Sequence, residues 1–163
     1  RRHYESVSTA LSTKDLDPES LSDVADVVIV PISDVHRGTL RALMYAKRLS
    51  QDVRAICVTT SPEMKECVLR RWNRFPKLTQ QIELITIEYD YRDVISPVVQ
   101  YIEQVNHDEF LDQLTTVVIP TFIPTETAGR LLHNQTAAQL RWALSSHKDI
   151  VLIDVPIHID SKM

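Results

Sequence analysis

The alternation of apolar and polar positions is clearest in one strand–turn–helix stretch. An unbroken apolar run, Val27 to Ile32, is rich in β-branched residues and stops at a turn, which is typical of a strand buried on both faces. A polar turn follows, after which Leu40, Leu43 and Met44 recur at helical spacing. This stretch therefore predicts a buried strand followed directly by an amphipathic helix.

The same alternation of strands and helices continues along the chain. Further strands are predicted at Val53–Thr59, Ile82–Glu88, Thr115–Thr121 and Ile150–Ile157. Helices are predicted at Thr39–Leu49, Pro62–Phe75, Val94–Val105 and Leu131–Leu144. The alternating pattern of the third strand suits an edge position, and Pro156 indicates that the end of the last strand also lies at an edge.

The order of these elements predicts the fold class. Strands that alternate with helices form a parallel sheet with helices on both faces, because each crossover must return across the sheet. We therefore expect an α/β fold with a five-stranded, doubly wound parallel sheet of order 3-2-1-4-5. The order reverses between strands 1 and 4, and ligands of such sheets bind at this switch point.

Composition and charge narrow the class of protein. The 163 residues are 44% hydrophobic and 25% charged, which suits one globular domain. We expect residues 1–23 to form a polar helix and linker and residues 24–160 the domain; the opening Arg1-Arg2 suggests a piece of a longer protein. A net charge of −4 gives no overall attraction to nucleic acid or to an anionic membrane. Two cysteines, Cys57 and Cys67, are expected to be free thiols of a reducing compartment.

The turn from Ser33 to Thr39 is the first candidate site. The start of a helix offers unpaired N–H groups and a positive dipole end, so a phosphate is a suitable ligand there, and Arg37 adds charge. The alternative is that Ser33 or Asp34 only caps the helix while Gly38 relaxes a tight turn.

The segment after the fourth strand is the second candidate site. Residues 121–136 are long for a connection between a strand and a helix, and such loops are often functional. Arg130 could bind a phosphate, and the amides of Asn134 and Gln135 could pair with an adenine edge. The alternative is that Asn134 or Thr136 caps the next helix and Arg130 is solvated.

The sequence contains no recognisable pattern for most kinds of enzymatic or metal chemistry. The six histidines and two cysteines show no metal-ligand spacing, and neither a catalytic triad nor a Walker or G-x-G-x-x-G loop is present. The basic run of Arg70, Arg71, Arg74 and Lys77 has acidic neighbours and is expected to be a solvated face. We therefore expect a domain that is not an enzyme and binds no metal.

Two stretches carry a resemblance to a known family. The sequence VIVPISDVHRGTLRALMYAK, residues 28–47, resembles the C-terminal cytosolic domain of bacterial permeases of the amino acid–polyamine–organocation superfamily. LLHNQTAAQLR, residues 131–141, looks like a second hallmark of that domain, and Arg2-His-Tyr4 resembles the segment after the last membrane helix of these permeases. The resemblance implies a fold similar to universal stress proteins, which dimerise and often bind ATP.

The resemblance also implies a ligand. The chain lacks the G-x-x-G and final G-[ST] pattern of ATP-binding stress proteins, and Asn134 and Gln135 stand where the final pair would be. A potassium-importer branch resembles the chain, and there the domain binds cyclic di-AMP at a homodimer and inhibits transport. We place phosphate and ribose at Ser33, His36, Arg37, Gly38 and Thr39, with Arg130, His133, Asn134 and Gln135 beside them and Ile32, Val58 and Pro120 as apolar walls.

The resemblance leaves two other functions open. One is a dimerisation domain of an amino acid permease that binds no ligand and associates through the edge of strand 5. The other is an ATP-binding domain of the stress-protein type. In each case we expect a cytoplasmic domain of an inner or plasma membrane protein, with the transmembrane part of the same chain as partner and without nucleic acid.

Overall fold

A five-stranded parallel sheet with helices on both faces forms the domain. The computed structural model describes residues 12, 27–89, 93–111, 113–124 and 132–159. The sheet order is β3-β2-β1-β4-β5, and every pairing is parallel, so the predicted α/β fold class and strand order are confirmed. The strands are β1 Val27–Ile32, β2 Asp52–Thr59, β3 Glu83–Glu88, β4 Thr115–Pro124 and β5 Ile150–Ile159. The helices are α1 Arg37–Leu49, α2 Pro62–Trp72, the single turn α3 Pro76–Thr79, α4 Ile95–Asp108 and α5 Leu132–Leu144.

The two faces of the sheet carry separate apolar layers. Val28 and Val30 of β1 pack towards α1 and α2, whereas Val27 and Ile29 pack towards α4 and α5. Successive side chains of a strand point to opposite faces, so a strand covered on both sides must be apolar throughout. This explains why β1 is an unbroken apolar run, with four of its residues 0% exposed.

The predicted element bounds differ from the observed ones mainly where proline stands. The sequence predicted one helix over residues 62–75, but α2 ends at Trp72 and α3 begins at Pro76. The residue before a proline is pushed out of the helical region, and Phe75 accordingly has φ −122° and ψ 54°. Both sheet edges were predicted correctly, since β3 and β5 are the outer strands. The segment predicted as a polar helix and linker lies, apart from Ser12, outside the described residues.

The two cysteines have the state that the sequence predicted. Both thiols are free, with Cys57 buried and Cys67 partly buried, as predicted. Burial raises the pKa of Cys57 to about 11, so its thiol stays protonated at neutral pH. Within the described ranges, no helix is both long and apolar enough to cross a bilayer.

An ion network joins β2 to the end of α4. The Arg54 guanidinium donates two hydrogen bonds to Asp52 at 2.8 and 3.0 Å and two to Glu109 at 2.7 and 2.9 Å. Its side chain is only 13% exposed. The hydrogen bonds from Arg54 hold the pKa of Glu109 below its usual range.

We expect Arg54→Met to lower the free energy of unfolding at pH 7 by about 1–2 kcal/mol, because charged hydrogen bonds are lost but water screens the exposed carboxylates. Glu109 has a lowered folded pKa. Its contribution is therefore present above the ordinary value of about 4.3 and disappears as pH falls through the folded pKa. Urea unfolding at pH 7 and pH 3 should show the difference between the two proteins shrinking in acid. A difference that is equal at both pH values, or as large for the exposed control Lys148→Met, would contradict this assignment.

Candidate functional site

The switch point of the sheet opens into a crevice. Strand β1 pairs with β4 only from Val27 to Ile29, opposite Thr115 to Val117, although both strands continue further. Strand β4 instead keeps its pairing with β5 along its whole length, to Pro124 opposite Ile159. The two central strands thus separate towards their carboxyl ends, which is where ligands bind in open α/β sheets.

A cavity of about 160 Å³ lies in this crevice. Its walls come from the ends of β1, β2 and β4, from the first turns of α4 and from the side of α5. The lining residues are Pro31, Ile32, Ser33, His36, Thr39, Val58, Met64, Val94, Ile95, Val98, Ile119, Pro120, Phe122, Thr136, Ala137 and Leu140. Most of these side chains are apolar, and the few polar ones gather at the turn before α1, which is the usual composition of a small-molecule site.

His36 caps the helix at one side of the cavity. Its Nδ1 atom accepts hydrogen bonds from the backbone N–H groups of Gly38 at 3.1 Å and Thr39 at 3.2 Å. Because both partners are donors, Nδ1 is unprotonated and the proton of the neutral ring is on Nε2. The sequence alternative that Ser33 or Asp34 provides the cap is therefore wrong.

The turn before α1 is fastened by Asp34. Its carbonyl oxygen accepts from the Thr39 hydroxyl at 2.6 Å, and its carboxylate accepts from the Val35 N–H at 2.7 Å and from the Arg71 guanidinium of α2. Thr39 is 1% exposed, so the turn is held from inside the domain and from the neighbouring helix. Such pre-organisation reduces the entropy that a ligand-binding loop loses on binding.

Gly38 provides space rather than an unusual backbone conformation. A Cβ atom at this position would lie 2.2 Å from Ile157 Cδ1 and 3.1 Å from the His36 ring. The φ angle is outside the left-handed region, so the sequence alternative in which Gly38 relaxes a tight turn is also wrong. The glycine lets the start of α1 approach the end of β5 and leaves room for the capping imidazole.

Two aspartates, Asp93 and Asp154, fix the helices that form the other walls. Asp93 Oδ1 accepts from the Ile95 N–H at 3.1 Å and the Ser96 N–H at 2.9 Å, which caps the start of α4. Hydrogen bonds from Ser96 also lower the pKa of Asp93. On the opposite side, Asp154 of β5 accepts from Thr121 of β4 at 2.8 Å and pairs with Arg141 of α5 at 3.1 Å.

The candidate residues fall into three groups. Six of them line the cavity together: Ile32, Ser33, His36, Thr39, Val58 and Pro120. Arg37 and Gln135 are exposed, and neither they nor buried Gly38 line the cavity. Arg130 lies outside the described residues, as do the side chains of His133 and Asn134 in α5.

The structure adds residues that the sequence interpretation missed. The Phe122 ring lies 5.1 Å from the His36 ring, centroid to centroid, at an angle of 56°. Ile95 and Val98 of α4 form another wall. Val98 has the apolar spacing of the predicted helix Val94–Val105, and no sequence signal shows which part of a core is left unfilled. Phe122 was hidden because the fourth strand was expected to end at Thr121.

His36 offers a test that separates capping from ligand contact. Removing the cap in His36→Ala should lower the free energy of unfolding by about 0.5–2 kcal/mol, whereas His36→Asn keeps a capping acceptor and should lose only a few tenths. We expect both variants to bind nucleotide more weakly, because both lack the imidazole at the cavity wall. Urea unfolding and ligand titration check this; an Asn variant with normal stability and normal affinity would limit His36 to capping.

Two comparisons with known proteins agree on one family. Residues 23–157 match the family model described as the KimA potassium transporter C-terminal domain. The chain is also similar to potassium transporter KimA of Bacillus subtilis (strain 168), with 31% identity over 159 residues that make up 97% of this chain and 25% of that protein. The chain therefore spans about a quarter of the length of the curated relative it matches.

Proposed function

The chain belongs to the family of KimA potassium transporter C-terminal domains, and from that premise we propose that it is a regulatory domain, without catalytic activity, that binds cyclic di-AMP or another adenine nucleotide. Of the two permease branches left open by the sequence, this membership favours the potassium branch. The proposed location is the cytoplasmic side of the membrane, with the transmembrane part of the same chain as partner.

The crevice between β1 and β4 is the observation that carries this proposal. Its cavity of about 160 Å³ is smaller than the roughly 300–1,000 Å³ of sites that enclose a whole drug-sized ligand. It has room for one flat, largely apolar ring system, for which Ile32, Val58 and Val98 supply apolar walls and Phe122 an aromatic ring. The sugar and phosphate would extend past Ser33 and Thr39 towards Arg37.

The helix start is already occupied by a side chain of the protein itself. The N–H groups of Gly38 and Thr39 already donate to His36, so a phosphate that used them would have to displace the imidazole ring. The exposed Arg37 guanidinium can bind a phosphate without that displacement. We therefore assign the phosphate contact to the Arg37 side chain rather than to the backbone N–H groups at the start of the helix.

A two-fold ligand suits a two-fold dimer, because each subunit can bind one identical half. One cavity for one ring system on each chain fits this symmetry. Strand β5 pairs only with β4 among the described strands, so its outer edge is available for a second copy. In this scheme the ligand stabilises one arrangement of the dimer. It can shift the equilibrium between the two arrangements by no more than the difference between its binding free energies for them.

The β5 edge also supports the second candidate function, a dimerisation domain without ligand. A nucleotide series separates the two. Cyclic di-AMP at 100 times its Kd should raise the free energy of unfolding by about 2.7 kcal/mol, seen as a higher Tm, with ATP and AMP as comparators. A rise with ATP alone would indicate a site of the stress-protein type. No rise with any of the three would contradict the proposal and favour assembly alone.

A further inference from the structure

The charge of this chain is distributed very unevenly. Residues 37–79 contain ten basic and three acidic residues, a net charge of +7, while the remainder contains eight basic and nineteen acidic residues, a net charge of −11. Nine of these ten basic residues belong to α1, α2, α3 or the segment between α2 and α3, and these three helices all pack on the same face of the sheet; the tenth, Arg54, pairs with Asp52 and Glu109. The overall net charge of −4 hides this basic face.

The outer surface of α1 mixes cations with an exposed apolar side chain. Arg37, Arg41, Met44 and Arg48 recur at spacings of four, three and four residues, so they share one stripe of the helix. All four are exposed, and Met44 is 58% exposed. The helix contains no acidic residue that could neutralise this stripe.

An apolar groove runs beside this stripe. It has a volume of about 520 Å³ and lies between α1 and the segment that contains α3. Leu40 and Met44 form one side, Phe75 and Leu78 form the other, and Arg74 and Lys77 contribute to its walls. The Phe75 ring is 39% exposed.

Most cations of this face have no acidic partner. Arg71 pairs with Asp34 and Lys65 pairs with Glu88. Within the part of the chain that the structure describes, the remaining cations of the three helices and the segment between them form no ion pair: Arg37, Arg41, Lys47, Arg48, Arg70, Arg74 and Lys77. Unpaired cations around exposed apolar groups are suited to a surface that carries phosphate charge over apolar material.

The groove lies on the side of the domain away from the nucleotide cavity. The segment from Phe75 to Leu78 leads into the start of β3, so it lies near the amino ends of the parallel strands. The preceding chain enters β1 at Val27, at that same end. Since the family model describes the C-terminal domain of a transporter, residues 13–26, which lie outside the described residues, would connect this end to the membrane-embedded part.

We propose that the face formed by α1, α2 and α3 docks on the anionic lipid surface of the membrane, with Met44 and Phe75 entering the interface and Arg41, Arg48, Arg74 and Lys77 contacting lipid phosphates. An acidic protein partner would match the charge. Exposed apolar side chains suit either partner, and we favour lipid because the face lies at the end where the chain that precedes β1 enters the domain. This inference goes beyond nucleotide binding and does not depend on it.

Sedimentation with vesicles tests the proposal on the full 163-residue chain. Vesicles of phosphatidylglycerol mixed with phosphatidylcholine should bind the chain, pure phosphatidylcholine vesicles should not, and binding should fall as salt is raised. Arg41→Glu should reduce binding at least tenfold. Lys148→Glu should leave vesicle binding within twofold. It makes the same change of net charge at a side chain that is 87% exposed and follows α5, a helix on the opposite face of the sheet.

Two further measurements decide the outcome. Phe75→Ser should weaken vesicle binding severalfold at unchanged charge and should bind nucleotide as the wild type does, because Phe75 does not line the cavity, which separates this proposal from the proposed function. Equal loss in Arg41→Glu and Lys148→Glu would overturn the proposal in favour of unspecific charge. Sedimentation velocity that shows loss of self-association in Arg41→Glu, without any vesicle binding by the wild type, would overturn it in favour of a contact between copies.

Discussion

Thr136→Trp is expected to reduce the affinity for an adenine nucleotide at least 100-fold without destabilising the fold. Thr136 lies on α5, lines the cavity, and is nevertheless exposed, so a larger side chain can be accommodated at the mouth. An indole ring placed there would occupy most of a cavity of about 160 Å³. A ligand that needs the same space would then lose its apolar contacts outright.

The control for this variant is Gln139→Trp, which adds the same ring at an exposed position of the same helix that does not line the cavity. Ligand titration should show normal affinity for Gln139→Trp, and urea unfolding should show wild-type stability for both variants within about 0.5 kcal/mol. Nucleotide binding that survives in Thr136→Trp would place the ligand elsewhere on the domain.

Trp72→Ala is expected to lower the free energy of unfolding by about 3–5 kcal/mol, the largest single effect on stability that we predict. Trp72 is 6% exposed and packs in the layer between the sheet, α1 and α2. Its carbonyl oxygen also accepts from the Thr79 hydroxyl at 3.3 Å, which links the end of α2 to α3. The cavity left by the indole would thus loosen the basic face as well as the core.

The second tryptophan provides a matched control. Trp142 is 82% exposed on α5, so Trp142→Ala should change the free energy of unfolding by no more than about 0.5 kcal/mol. Urea unfolding monitored by circular dichroism compares the two variants by the same signal. Similar losses in both would contradict the observed burial of Trp72.

The strands were predictable because the burial of their two faces is visible in the apolar pattern of each strand's own sequence. Val27–Ile32 is apolar throughout, since both faces of β1 are covered, and its bounds were predicted without error. The predicted helix Pro62–Phe75 stopped before Pro76 but ran three residues past the observed end of α2 at Trp72, because the apolar spacing continues into Phe75, and the single turn α3 was not predicted. Strand β4 runs three residues further than predicted, because pairing with β5 continues to Pro124.

The site was predictable only in outline. Parallel topology places the carboxyl ends of β1 and β4 together, so Ile32, Ser33 and Pro120 could be expected to lie close together, and all three line the cavity. The capping role of His36 was not predicted, since serine and aspartate are the commoner caps. The basic face was dismissed because its charges come from three helices, and only their packing on one face brings them together.

The stoichiometry of cyclic di-AMP binding shows whether one ligand joins two chains. Isothermal titration of the purified chain, with its mass in solution measured by light scattering before and after saturation, gives the number of ligands per chain and per assembly. We predict saturation at one ligand for two chains and a dimer in the saturated state. Saturation at one ligand for each chain in a monomer, or no heat of binding, would contradict it.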